Sequence, residues 1–101
     1  MFRRVPAELP VELEVGGATL QTTTANISCG GMFLQMDPAQ LERQEKLDVL
    51  IHLPNRRVPV KLSAEILRNE SQQRPGVALQ FQGLYNDNIL AIEKFVKGKL
   101  N

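Results

Sequence analysis

Apolar and polar residues alternate with a period of two from residue 10 to residue 82, which commits most of the chain to strands. Val11, Leu13 and Val15 alternate with Pro10, Glu12 and Glu14, and Gly16-Gly17 follows as a two-residue hairpin signal. A threonine-rich second strand spans 18–27. The third covers Gly31 to Met36, with Met32, Leu34 and Met36 on one face. Leu47, Val49, Ile51 and Leu53 form the apolar face of the fourth. Val58, Val60, Leu62, Ala64 and Ile66 form that of the fifth, and Val77, Leu79 and Phe81 that of the sixth. Each strand has one apolar and one mostly polar face, which suits antiparallel pairing with one face in water.

Turn residues separate the strands. Pro54-Asn55 and Pro75-Gly76 punctuate strongly, and Asp37-Pro38 opens a polar stretch to Lys46 with room for one helical turn. The period then changes. Tyr85, Ile89, Ile92 and Val96 recur at helical spacing, with Asn86 or Asp87 as candidate N-cap. Glu93 and Lys97 form an (i, i+4) pair, and Lys94, Lys97 and Lys99 suit a helix C-terminus. The expectation is an all-β fold, a six-stranded antiparallel β-barrel with one packed C-terminal helix. It forms a single domain over 1–101, without internal repeat, low-complexity segment or linker. A chain of 101 residues buries roughly 60–68% of its unfolded surface, enough for one modest core.

Charge and composition exclude several functions. Net charge is +1, from 12 basic and 11 acidic residues, which argues against a polymeric nucleic-acid partner. The longest apolar run, Ile89 to Ile92, is four residues, and a membrane span needs about 20, so no membrane insertion is expected. The N-terminal arginines have no apolar stretch behind them, unlike a secretory signal. A single cysteine favours a reducing compartment, the cytoplasm. No metal is expected, because His52 stands alone in a strand. Nothing local pairs Cys29 with His52 as nucleophile and base, and no GxxxxGK[ST] or GxGxxG loop is present. Neither an enzyme nor a cofactor is expected.

Two features remain. Phe2-Arg3-Arg4-Val5-Pro6 places adjacent arginines just before the first strand, and Asn26-Ile27-Ser28-Cys29-Gly30-Gly31 lies between two strands. Taken singly, the first reads as a solvated terminus and the second as a polar turn. Together, Asn26-x-Ser28-x-x-Gly31 followed by Met32-Phe33-Leu34 resembles the [D/N]xSxxG signature of PilZ domains. Arg4-Val5-Pro6 resembles the close of that family's RxxxR motif. Pro75-Gly76-Val77-Ala78-Leu79-Gln80-Phe81 looks like its closing strand before the C-terminal helix. The resemblance covers nearly the whole chain. It implies a six-stranded barrel and the bacterial second messenger cyclic di-GMP as ligand.

Carried over, Arg4 is the second arginine of RxxxR, and Asn26, Ser28 and Gly31 are the fixed positions of the other motif. Arg3, as a substitute for the first arginine, and Gly30 complete the expected ligand-binding set, and the chemistry of these types agrees. A guanidinium binds guanine O6 and N7 bidentately, pairs with phosphate or stacks on a base. Asn and Ser both donate and accept. Glycines permit positive φ and close approach of backbone N–H groups to a planar ligand. Asn26 and Ser28 are expected to face the ligand and not the core. One departure stands. With Arg4 closing RxxxR, its first arginine would fall one residue before Met1; with Arg3 or Arg4 as the first, the partner position is Ala7 or Glu8, and Glu8 would repel phosphate. The start placed too late, a missing segment, and weak or absent binding all remain open. Two functions compete: a cyclic di-GMP receptor that signals to a separate protein partner, and a degenerate PilZ domain serving as an interaction module in pilus or motility function. An unrelated OB-like barrel for single strands would need more aromatic platforms than four Phe and one Tyr supply, and a positive groove.

Overall fold

The computed structural model describes residues 3–67, 76–83 and 87–100. Seven strands form: β1 (Val5–Pro6), β2 (Pro10–Val15), β3 (Ala18–Ile27), β4 (Gly31–Leu34), β5 (Lys46–Ile51), β6 (Val60–Leu67) and β7 (Val77–Phe81). Helix α1 spans Asp87–Leu100. The sheet runs β1-β3-β2-β5-β6-β7-β4, and β3 also pairs with β4, closing six long strands into an antiparallel barrel. Closure removes the exposed edges that an open sheet of this size would leave. β1 is the short addition, laid on the far end of β3.

The hairpin at Gly16-Gly17 forms as expected. Both glycines have positive φ, 55° and 83°, the geometry a two-residue loop needs to match strand twist. Asp37 caps a 3-10 turn at Pro38–Leu41 by accepting from the Ala39 N–H at 3.0 Å, and Leu41 is buried beneath it. The inward residues of all six long strands meet in one core: Leu13, Ile27, Met32, Val49, Leu62 and Leu79 are typical. Ile89, Ile92 and Val96 lay one face of α1 onto it, against β6 and β1. Asn88 ties the start of the helix to β6, its side-chain amide donating to the Lys61 carbonyl at 2.7 Å. Phe2, Pro75, Tyr85 and Asn86 lie outside the described residues.

Four expectations change. A two-residue strand, β1, forms at Val5–Pro6, ahead of the expected first strand at residue 10. β4 ends at Leu34: Gln35 still donates its N–H to the Thr23 carbonyl at 2.9 Å, but the Met36 N–H folds back onto the Leu34 carbonyl at 3.2 Å. β4 is also buried on both faces. A Cβ on Gly76 would sit 2.3 Å from the Phe33 ring, so the chain entering β7 covers the side expected to meet water. Finally, β6 begins at Val60, not Val58. Its first partner is Ile51, the last residue of β5. Pro59 has no N–H to extend the ladder, and Val58 is left 70% exposed outside the core.

Candidate functional site

β1 pairs antiparallel with β3, Val5 opposite Ile27 and Pro6 opposite Asn26. Val5, 3% exposed, anchors the pairing in the core. This register sets Arg4 beside Asn26, and an Arg4 Nη1–H donates to Asn26 Oδ1 at 2.8 Å across 22 residues of sequence. A guanidinium has five N–H donors, so several remain for another acceptor, and the Asn26 amide keeps its own donors. Both arginines are exposed.

A buried threonine holds this arm, and sequence reasoning missed it. Thr24 is fully buried; its hydroxyl donates to the Ala7 carbonyl and accepts the Leu9 N–H at 2.9 Å. Next to it the β3–β4 register shifts from Thr24–Leu34 to Asn26–Phe33. Ala25 is the extra residue of that bulge, and its carbonyl accepts from the Ala7 N–H at 3.2 Å. Thr24 and the bulge thus clamp residues 7–9 and fix where Arg4 starts. The visible signal is a threonine on the inward period of β3, where an apolar residue would be the default.

The loop after β3 is built differently from expectation. Ser28 is 3% exposed and does not face solvent. Its Oγ accepts the N–H groups of Gly30 and Gly31, both at 3.1 Å, and donates to the Gly31 carbonyl at 3.3 Å. The Ser28 N–H donates to the same carbonyl at 2.8 Å. The glycine N–H groups expected to approach a ligand are therefore spent on the serine. Nor do Gly30 and Gly31 need positive φ: the left-handed glycines among the described residues are Gly16, Gly17 and Gly83. Gly31 is required for another reason. A Cβ there would lie 2.2 Å from the Leu79 carbonyl oxygen, so its absence lets β4 pair with β7. The Phe81 N–H donates to the Gly30 carbonyl at 2.8 Å, closing the loop onto the barrel.

Cys29, half-buried in this loop, has its thiol pKa pushed up, first by desolvation and then by the charge of Glu93 on α1. Glu93 is itself paired with Lys97 at 2.9 Å. His52, expected within a strand, lies one residue past the end of β5 and pairs with Glu12 of β2 at 2.7 Å. Among the described residues, no group of three or more His, Cys, Asp or Glu side chains could hold a metal ion.

The PilZ domain family model matches residues 1–98. The chain belongs to the PilZ family. Its fold is shared by solved structures of low sequence identity. The Bacillus subtilis inhibitor of motility, MotI/DgrA, superposes with a TM-score of 0.77 at 20% identity over 100% of this chain, which spans 51% of that one. The PilZ domain of YcgR from Escherichia coli with c-di-GMP gives 0.75 at 13% identity, covering 98% of this chain and 89% of that one. The PilZ domain of CeSA from a cellulose-synthesizing bacterium gives 0.68 at 23% identity, covering 98% and 99%. No curated protein sequence matches the chain. Among the described residues, no helix of this PilZ domain is long and apolar enough to cross a membrane.

Proposed function

We propose that this PilZ domain is a bacterial, cytoplasmic receptor for cyclic di-GMP that acts through a separate protein. The observation that carries this reading is the Arg4–Asn26 contact, which joins the two motifs into one polar surface at one end of the barrel. Arg4 presents its remaining donors to a phosphate or a guanine edge. Asn26 orients that guanidinium and offers its amide. Arg3 adds a second exposed cation. Ser28, Gly30 and Gly31 serve the ligand through the shape of the loop, with Ser28 holding it closed. Structural neighbours support the ligand and the output: YcgR is solved with c-di-GMP, and MotI/DgrA is an inhibitor of motility.

Calorimetric titration with cyclic di-GMP, with GTP as control, tests the reading. Wild type binds the dinucleotide and not GTP. Arg4→Ala weakens binding by about 2–4 kcal/mol, roughly 30- to 700-fold in Kd. Arg4→Lys recovers little, since the planar fork is lost. Wild-type affinity in Arg4→Ala overturns the assignment. A second reading, a degenerate PilZ domain that works as an interaction module without nucleotide, draws support from the Ser28 hydroxyl occupying the Gly30 and Gly31 N–H groups. Absence of binding heat for wild type selects it.

A further inference from the structure

Although the sequence carries no repeat of a whole element, the tetrapeptide Arg-Arg-Val-Pro occurs twice, at Arg3-Arg4-Val5-Pro6 and at Arg56-Arg57-Val58-Pro59. The two copies have opposite fates. In the first, Val5 is buried and Arg4 is bonded to Asn26. In the second, Val58 is 70% exposed and both arginines are exposed. Among the described residues neither Arg56 nor Arg57 has an ion-pair partner.

The β5–β6 loop that carries the second copy has a defined shape. Pro54 and Pro59 bracket it, Asn55 takes the left-handed conformation at φ 65°, and the Arg56 N–H donates to the Leu53 carbonyl at 3.4 Å. No acidic residue occurs between Asp48 and Glu65, and Lys61 adds a third exposed cation. The loop also stands at the end of the barrel where β4 begins and β7 finishes, so it shares that end with Arg4 and the Ser28 loop.

We infer that the β5–β6 loop is a docking element for an acidic segment of a partner protein, with Arg56 and Arg57 pairing its carboxylates and Val58 covering an apolar side chain between them. The inference rests on the reading that this domain acts through a separate protein, and not on nucleotide binding. Arginine is enriched among interface anchors, and the exposed Val58 beside the pair supplies apolar area that a partner can cover. Two arginines are too few for an anionic membrane, which is recognised by clusters of about four to eight basic residues. A preorganised loop loses little entropy on docking.

The test uses the whole chain and a fluorescein-labelled peptide of alternating glutamate and leucine, read by anisotropy. A glutamine–leucine peptide and phosphatidylglycerol vesicles are the controls. The acidic peptide binds, and Arg56→Gln with Arg57→Gln weakens it by about tenfold, with an unchanged melting temperature. Val58→Ser weakens it several-fold, and the affinity falls as salt rises from about 0.05 to about 0.3 M. Arg4→Ala leaves it unchanged, which separates this surface from the nucleotide reading. Lack of peptide binding, equal binding of the glutamine peptide, preference for the vesicles, or loss caused instead by Lys94, Lys97 and Lys99→Gln would each overturn the proposal.

Discussion

Ser28 has a side chain of one hydroxyl, and that hydroxyl closes the loop between β3 and β4 by serving two N–H groups and one carbonyl. A serine there reads from sequence as a ligand contact or as a plain turn residue. Burial decides for a structural part, because the two glycine N–H groups would otherwise lack a partner in a loop pressed against β7. Ser28→Ala is therefore expected to destabilise the domain by about 1–3 kcal/mol, the cost of leaving buried donors unsatisfied. Urea denaturation measures it, and an unchanged midpoint would return Ser28 to the surface role. Cys29 next to it supplies a pH-dependent signature. Its thiol pKa is raised by desolvation and by Glu93. As pH climbs through the ordinary thiol range the unfolded chain loses this proton first while the native chain keeps it, so stability declines with pH across that window and up to the native pKa. The alkylation rate of Cys29 should rise only above the ordinary thiol range. Glu93→Gln, which removes the second cause and frees Lys97, should shift that profile to lower pH; an unmoved profile counts against the Glu93 charge as a cause.

At the scale of elements, the N-terminal arm depends on β3 more than on itself. β1 has only two residues, too short to persist alone, and residues 7–9 are held by the Thr24 hydroxyl and the Ala25 bulge. Thr24→Val keeps the shape and removes both side-chain hydrogen bonds. The expected cost is about 1–3 kcal/mol, together with faster hydrogen exchange at the Leu9 amide. Retained protection at Leu9 would show that the Thr24 clamp is dispensable. The alternation of β2, β5, β6 and β7 was readable because each has one face in the core, and period two then reports burial directly; β3 was legible only as a threonine-rich strand. β4 escaped that logic. The chain at Gly76 lies over Phe33, and no local pattern announces what a distant segment covers. Val58 failed for a related reason: it continues the period of β6, but the ladder stops at the Ile51–Val60 pair.

For the molecule as a whole, α1 and the barrel share one core. Ile92 is fully buried between the helix and the strands it covers. Ile92→Ala should destabilise by about 2–5 kcal/mol, through lost burial and the cavity left behind. Helix and sheet should lose structure in one transition, measured by coincident far-ultraviolet dichroism and hydrogen exchange of β6. Separate transitions would mean that the helix is only an appendage.

The sequence by itself determined the order of the six long strands and the helix, the Gly16-Gly17 hairpin, most of the apolar faces and the PilZ resemblance, because each is written in spacing of fewer than about ten residues and in side-chain type. Tertiary structure alone decided which polar groups are spent and which are offered. Arg4 meets Asn26 only because Val5 lies opposite Ile27. The glycine N–H groups are occupied only because Ser28 is folded beneath them. Two identical Arg-Arg-Val-Pro segments differ only in what packs around them, Val5 falling inside the closed barrel and Val58 outside the last pair of its ladder. Burial depends on contacts between residues far apart in the chain, and local sequence carries no record of them.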